Sequence, residues 1–113
     1  MHEYSIVVAL VERVEAEAAA RRALAVHRVN VRIGELSGVE PALLETAFMI
    51  ARTGTICERA AIEIERIPAC WACPECRRPL EPGGRLQCAG CGTPAALVSG
   101  DEILLGRIEL EVP

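Results

Sequence analysis

Two short cysteine repeats constrain this chain most. Cys73-Pro-Glu-Cys76 and Cys88-Ala-Gly-Cys91 stand eleven residues apart, the spacing at which two tight turns each aim two thiolates at one ion and close a tetrahedron. The stretch from Ile67 to about Ser99 that contains them holds five of the six cysteines and five of the seven prolines, with Gly83, Gly84, Gly90 and Gly92 as turn formers. It has too few apolar residues to build a core and must be stapled by something else. A structural Zn(II) held by Cys73, Cys76, Cys88 and Cys91 is the expected staple. Cys70-Trp-Ala-Cys73 has the same spacing, so Cys70 is an alternative ligand to Cys76; Pro74 inside the Cys73–Cys76 turn and Arg77 and Arg78 after it favour Cys76. Four thiolates leave no open coordination position, so such a centre is structural. Cys57 lies outside the repeats and reads as a small buried hydrophobe.

The rest of the 113 residues is ordinary globular sequence. Apolar Ile6, Val7, Leu10, Val11, Val14 and Ala18 recur at three- and four-residue steps, which predicts an amphipathic helix from Tyr4 to about Ala25. Val29, Val31 and Ile33 alternate with Arg28, Asn30 and Arg32, the period of a strand with one buried face. Pro41 suits a first helical position, and Leu43, Leu44, Ala47, Phe48 and Ile50 supply the stripe of a second helix ending near Gly54. Ser37 and Glu40 have capping-box spacing. Ile62 and Ile64 begin a strand that stops at Pro68, and Ile103 to Val112 reads as a long last strand, bent at Gly106. The expected architecture is α/β: two helices on one face of a three-stranded mixed sheet, with a four-cysteine zinc ribbon inserted between the second and third strands. The corresponding domains are 1–66 plus 100–113, and 67–99.

Charge narrows the partners. The formal net charge is −4, and four thiolates on one dication lower it further, so nucleic acid is not an expected partner. The longest apolar run, Ile6 to Val11, is too short to span a bilayer, and no export signal is expected. A reducing, cytoplasmic setting follows, in which close cysteine pairs bind metal and do not form disulfides.

The chain opens Met1-His2-Glu3. An amine on Met1, the His2 amide nitrogen and the His2 imidazole can form fused chelate rings around one ion, and Ni(II) favours such planar nitrogen ligation. A second-position histidine is usually idle all the same. Taken with Met1-His2-Glu3-Tyr4-Ser5, the segment Gly34-Glu35-Leu36-Ser37-Gly38-Val39-Glu40-Pro41 and the pairs Cys73/Cys76 and Cys88/Cys91 make the whole chain resemble the HypA family of hydrogenase nickel-incorporation proteins.

The resemblance implies a nickel metallochaperone and not an enzyme. By it, Ni(II) is a transient cargo held through His2, Met1 and backbone near Glu3, delivered with the GTPase HypB to the large subunit of a [NiFe]-hydrogenase. Some relatives also serve urease, which adds urease accessory proteins as partners. An acidic residue near the nickel site in the family corresponds to Glu40, whose plain role would be helix capping. Histidines that flank the ribbon cysteines in some relatives are replaced here by Arg77, Arg78, Gly92 and Thr93. His27 is expected to be an exposed strand residue, and the chain a monomer or weak homodimer. The rivals are an interaction module with an incidental His2 and a rubredoxin-like electron carrier.

Overall fold

The computed structural model describes residues 3–113. Helix α1 spans Glu3–Ala20 and buries Val7, Val11, Val14 and Ala18, one stripe at four- and three-residue steps. It stops five residues before the end that periodicity suggests. Arg22 takes a left-handed conformation with φ 53°; Ala23 N donates to Ala18 O at 2.9 Å and Arg22 N to Ala19 O at 3.1 Å. These are the two bonds of a Schellman cap, with arginine where glycine is usual.

Strand β1, Ala25–Gly34, is the middle of a three-stranded sheet. Strand β2, Ala61–Ile67, lies parallel to it, with Val29 opposite Ile62 and Val31 opposite Ile64. After the cysteine segment the chain returns as the last strand, Ile103–Glu111, antiparallel to β1 on its other side. Between β1 and β2 runs helix α2, Pro41–Ala51, whose Leu44, Ala47 and Phe48 face the core. Val29, Val31 and Ile33 complete that core beneath α1 and α2. The architecture is thus two helices on a mixed three-stranded sheet, as the sequence predicts.

The opposite face of the sheet is a ladder of charge. Arg28 reaches Glu63 at 3.3 Å and Glu109 at 3.9 Å, Arg32 reaches Glu65 at 3.7 Å, and His27 reaches Glu111 at 3.0 Å. These pairs are exposed, so each contributes a few tenths of a kcal/mol at most, and their use is to fix which face meets water. His27 occupies the exposed strand position expected of it. Asn30 is different: it is buried, and its side-chain amide donates to Glu63 at 3.3 Å. A Cβ on Gly106 would strike the Asn30 side chain. At that point two residues, Gly106 and Arg107, oppose one, Asn30, between the pairs Val31–Leu105 and Val29–Ile108. The bend anticipated at Gly106 is therefore a bulge.

The capping box does not form. Glu40 is itself the N-cap of α2, extended at φ −87° and ψ 114°, with Pro41 in the first turn and no side-chain cap bond. Ser37 Oγ instead accepts from Val39 N at 3.2 Å, closing its own turn. Proline at the first helical position already removes one orphan donor, so the helix starts without a capping hydroxyl.

Within the cysteine segment two strands appear that periodicity did not reveal. Strand β3, Cys70–Ala72, pairs antiparallel with β4, Ala96–Ser99, and the last strand of the core sheet is accordingly β5. The segment leaves the core sheet after Ile67 and rejoins it at Ile103, and the two crossings touch. A Cβ on Gly34 would meet the Gly100 carbonyl, and one on Gly100 (φ 112°) would lie 2.5 Å from Ala69 Cα. Backbone packs directly on backbone here, which only glycine allows.

Gly100→Ala should therefore lower stability by about 2 kcal/mol or more in urea unfolding, through a left-handed φ and a clash together. Gly54→Ala, where a Cβ meets open space, should cost only about 1 kcal/mol for φ alone. Equal losses would contradict the close crossing.

Candidate metal centre

Each cysteine repeat folds as the same turn. In the first, Cys73 N donates to Arg78 O at 3.0 Å and Arg77 N to Cys73 O at 2.7 Å; in the second, Cys88 N donates to Thr93 O and Gly92 N to Cys88 O, both at 2.9 Å. The fourth residue after each leading cysteine is left-handed, Arg77 at φ 61° and Gly92 at φ 73°. The two turns share these bonds position for position, which makes Arg77 the counterpart of Gly92. The backbone of Arg77 does the work that glycine does in the second turn.

These turns bring the sulfurs of Cys73, Cys76, Cys88 and Cys91 together, all within 4.8 Å of one another. Cys91 Sγ lies 3.5 Å from both Cys73 Sγ and Cys76 Sγ, and Cys76 Sγ lies 3.9 Å from Cys88 Sγ. A disulfide needs about 2.05 Å, so these are free thiols. Zinc–sulfur bonds of about 2.3 Å at tetrahedral angles place ligand sulfurs about 3.8 Å apart, inside the observed range. The donor set and its size therefore suit Zn(II). Cys73 and Cys88, the leading residues, are buried, while Cys76 and Cys91 face outward. Cys76 N also points at Cys73 Sγ, 3.3 Å away, a backbone donor aimed at a sulfur that carries charge when deprotonated.

Crowding makes the sulfurs share protons unequally. Thr93, through its hydroxyl 3.1 Å from Cys91 Sγ and its backbone, pulls Cys91 down to about 6, with help from Cys73 and Cys76. Hydrogen bonding to Cys91, then to Cys73 and Cys88, pushes Cys76 up to about 12. In the sequence Thr93 stands out only as a position lacking histidine; its place two residues after Cys91 is the signal for a hydroxyl beside that sulfur.

Other candidate residues stand apart from this group. Cys70 is exposed in β3, opposite Ser99, outside the four-sulfur set. Cys57 is fully buried, its thiol pushed up by that burial. Glu3 lies in the first turn of α1, where a carboxylate complements the helix dipole. Glu40 is exposed at the start of α2. Met1 and His2, the principal nickel candidates, lie outside the described residues. Among the described residues no second group of three or more His, Cys, Asp or Glu side chains converges. No described helix is long and apolar enough to cross a membrane.

Two measurements check the centre. Stripping metal with a chelator should unfold the cysteine segment first, seen as a red shift of emission from Trp71, the one tryptophan, which sits in β3. Far-UV signal from α1 and α2 should largely persist. Zinc affinity should also fall with falling pH, since Cys76 must surrender its proton; below pH about 6 Cys91 holds one as well. The plot of log affinity against pH should therefore steepen by about one proton below that point. A constant slope would contradict the role given to Thr93.

Comparison with known proteins agrees with this geometry. The family model described as "Hydrogenase/urease nickel incorporation, metallochaperone, hypA" matches residues 1–110. A hydrogenase maturation factor HypA from Nitrosospira multiformis is 44% identical over 112 residues, covering 97% of each chain. Its counterpart from a Shewanella strain is 41% identical over 113 residues, covering 98% of this chain and 96% of that one. Among solved structures, one described as the solution structure of HypA protein aligns with a TM-score of 0.83 at 28% identity, over 100% of this chain and 98% of the other. The solution structure of the Ni metallochaperone HypA from Helicobacter pylori aligns with a TM-score of 0.76 at 28% identity, over 100% of both. Full-length likeness in sequence and in fold, with the four cysteines gathered as the fold requires, shows that the chain belongs to the HypA family of hydrogenase and urease nickel-incorporation metallochaperones.

Proposed function

We propose that this chain carries Ni(II) at Met1-His2-Glu3 and delivers it, with a HypB-type GTPase, to the large subunit of a [NiFe]-hydrogenase in the cytoplasm. Zn(II) in the Cys73, Cys76, Cys88 and Cys91 site has a structural part. The two metals then occupy separate units, nickel on residues 1–66 with 100–113 and zinc on 67–99. The family description also names urease, which makes urease accessory proteins a second class of partner.

The observation that carries the reading is the family match running from residue 1, so that the opening Met-His-Glu lies inside the shared sequence. Coordination chemistry supports the division of labour. Four sulfurs at tetrahedral spacing leave no position for cargo, and a closed thiolate cage releases its ion slowly. A carrier needs the opposite, an ion gripped by few ligands at an accessible place. The Met1 amine, the His2 amide nitrogen and the His2 imidazole supply three nitrogens in fused rings, and an oxygen or further backbone nitrogen near Glu3 completes the square. The Glu40 side chain is exposed and makes no cap bond, so its carboxylate is a candidate fourth donor to the same ion. The role assigned to this chain is binding and transfer, with no catalytic residue.

Nickel titration of the full chain tests the proposal. One Ni(II) should bind beside the zinc, and His2→Ala should remove that uptake. A few residues added ahead of Met1 should weaken it by at least tenfold, because they abolish the amine donor while leaving every side chain in place. Affinity should fall below pH roughly 6.5, where the imidazole takes up a proton that competes with the metal. Uptake unchanged by either variant would instead favour an interaction module whose His2 is incidental. Red isolated protein would point to iron in the cysteine site.

A further inference from the structure

The segment that bears the four cysteines is tied to the core by more than its two covalent crossings. At the end of β1 the turn 34–36 bonds to both. Gly34 N donates to Glu102 O at 2.7 Å and Leu36 N to Gly100 O at 2.6 Å, holding the returning chain; Glu35 N donates to Ile67 O at 2.8 Å, holding the outgoing one. These three bonds extend the core sheet as far as Ile67. Beyond it Pro68 offers no N–H, so the backbone ladder ends there.

Glu35 carries the connection one step further. Its Oε2 accepts from Ala69 N at 3.0 Å, on the residue directly before β3. On the other crossing, Gly100 N donates to Glu102 Oε1 at 2.5 Å, and Gly100 rests against Ala69. Ala69 is thus pinned on one side by the Glu35 carboxylate and on the other by the Gly100 backbone. The turn that begins with Glu35 runs on through Ser37 to Glu40, the N-cap of α2.

From this geometry we infer that Glu35 is a positioning residue: its carboxylate clamps Ala69 and so fixes the four-cysteine unit in one orientation relative to the β1–α2 turn that leads to Glu40. Pro68 and Ala69, with Gly100 opposite, form the hinge that the carboxylate locks. A bond from a backbone donor to an ionised carboxylate is among the stronger hydrogen bonds, and among the described residues it is the one side-chain bond that joins the β1–α2 turn to the chain beyond Pro68. A shift of the cysteine unit is therefore felt at the turn, and a shift of the turn at β3. The clamp itself stands on these contacts alone; its consequence for nickel rests on the carrier function proposed above.

Residual dipolar couplings on the full, zinc-loaded chain test it. In the native protein one alignment tensor should fit both the core sheet and the β3–β4 hairpin. Glu35→Gln keeps an oxygen acceptor of the same reach and should retain the single tensor. Glu35→Ala should require two tensors, and the Ala69 amide should exchange roughly tenfold faster, while chemical shifts report both units folded. Glu35→Asp, one methylene shorter, repeats the test with charge kept and serves if the alanine variant fails to fold. A single tensor in the alanine or aspartate variant, or a glutamine variant that behaves like alanine, would overturn the clamp.

Nickel then separates the two ideas. Added nickel should shift amides of residues 69–72 in the native chain and in Glu35→Gln but not in Glu35→Ala, with uptake equal in all three. Nickel that binds through His2 yet leaves residues 69–72 unshifted in the native chain would refute the coupling alone. Absence of His2-dependent uptake would refute the carrier function and leave the clamp intact.

Discussion

The gathering of four sulfurs within 4.8 Å of one another, a spacing that suits one dication, is the constraint on which the rest of this structure depends. Residues 67–99 have little apolar surface to bury, and their hairpin is only three and four residues a side. Conformational entropy would defeat so small a unit without a cross-link. The two cysteine turns accept unfavourable local geometry in return, including a left-handed Arg77, because ion binding on the order of ten kcal/mol in comparable peptides far exceeds strain of about 1 kcal/mol. The same closure underlies the proposed division of labour: an ion held by four sulfurs leaves no vacancy for a travelling one, so the proposed nickel needs donors elsewhere.

The core sheet supplies the fixed frame. β1 lies between a parallel and an antiparallel neighbour, so its two ends serve different purposes. At its start the charge ladder keeps one face in water and the other under the helices. At its end Gly34, Gly100 and Ala69 approach too closely for side chains, and both crossings to the cysteine segment pass through that contact. The four-cysteine unit is thus joined to the core at one tight junction, beside the turn that starts α2.

Much of this was legible in the sequence because it rests on periodicity and spacing. The helical stripe of α1, the alternation in β1 and β2, the return of β5 to the first sheet and the grouping of Cys73, Cys76, Cys88 and Cys91 all follow from positions alone. What periodicity could not show is chemistry carried by atypical residues. Arg22 caps α1 with no glycine to mark the end, so periodicity alone carries the helix too far. Ser37 has the right spacing for a capping box, but Pro41 changes the starting position, and the serine closes a turn instead. Asn30 falls at a polar position of the alternation and is nevertheless buried, because the bulge at Gly106 brings backbone over it. The short β3–β4 pairing lacks any alternation long enough to read. Glu35 gave no sign of its bond to Ala69, since 34 residues separate them. The proposed nickel ligands Met1 and His2 rest on coordination chemistry and resemblance, and they lie outside the described residues.

The central claim is that two metals use two chemistries in one small chain, sulfur for the resident ion and nitrogen with oxygen for the cargo. X-ray absorption at the nickel edge, on protein already loaded with zinc and given one equivalent of nickel, tests this most directly. The account predicts a nickel environment of nitrogen and oxygen, including imidazole scattering, with no sulfur. Sulfur neighbours around nickel, with zinc displaced into solution, would contradict it.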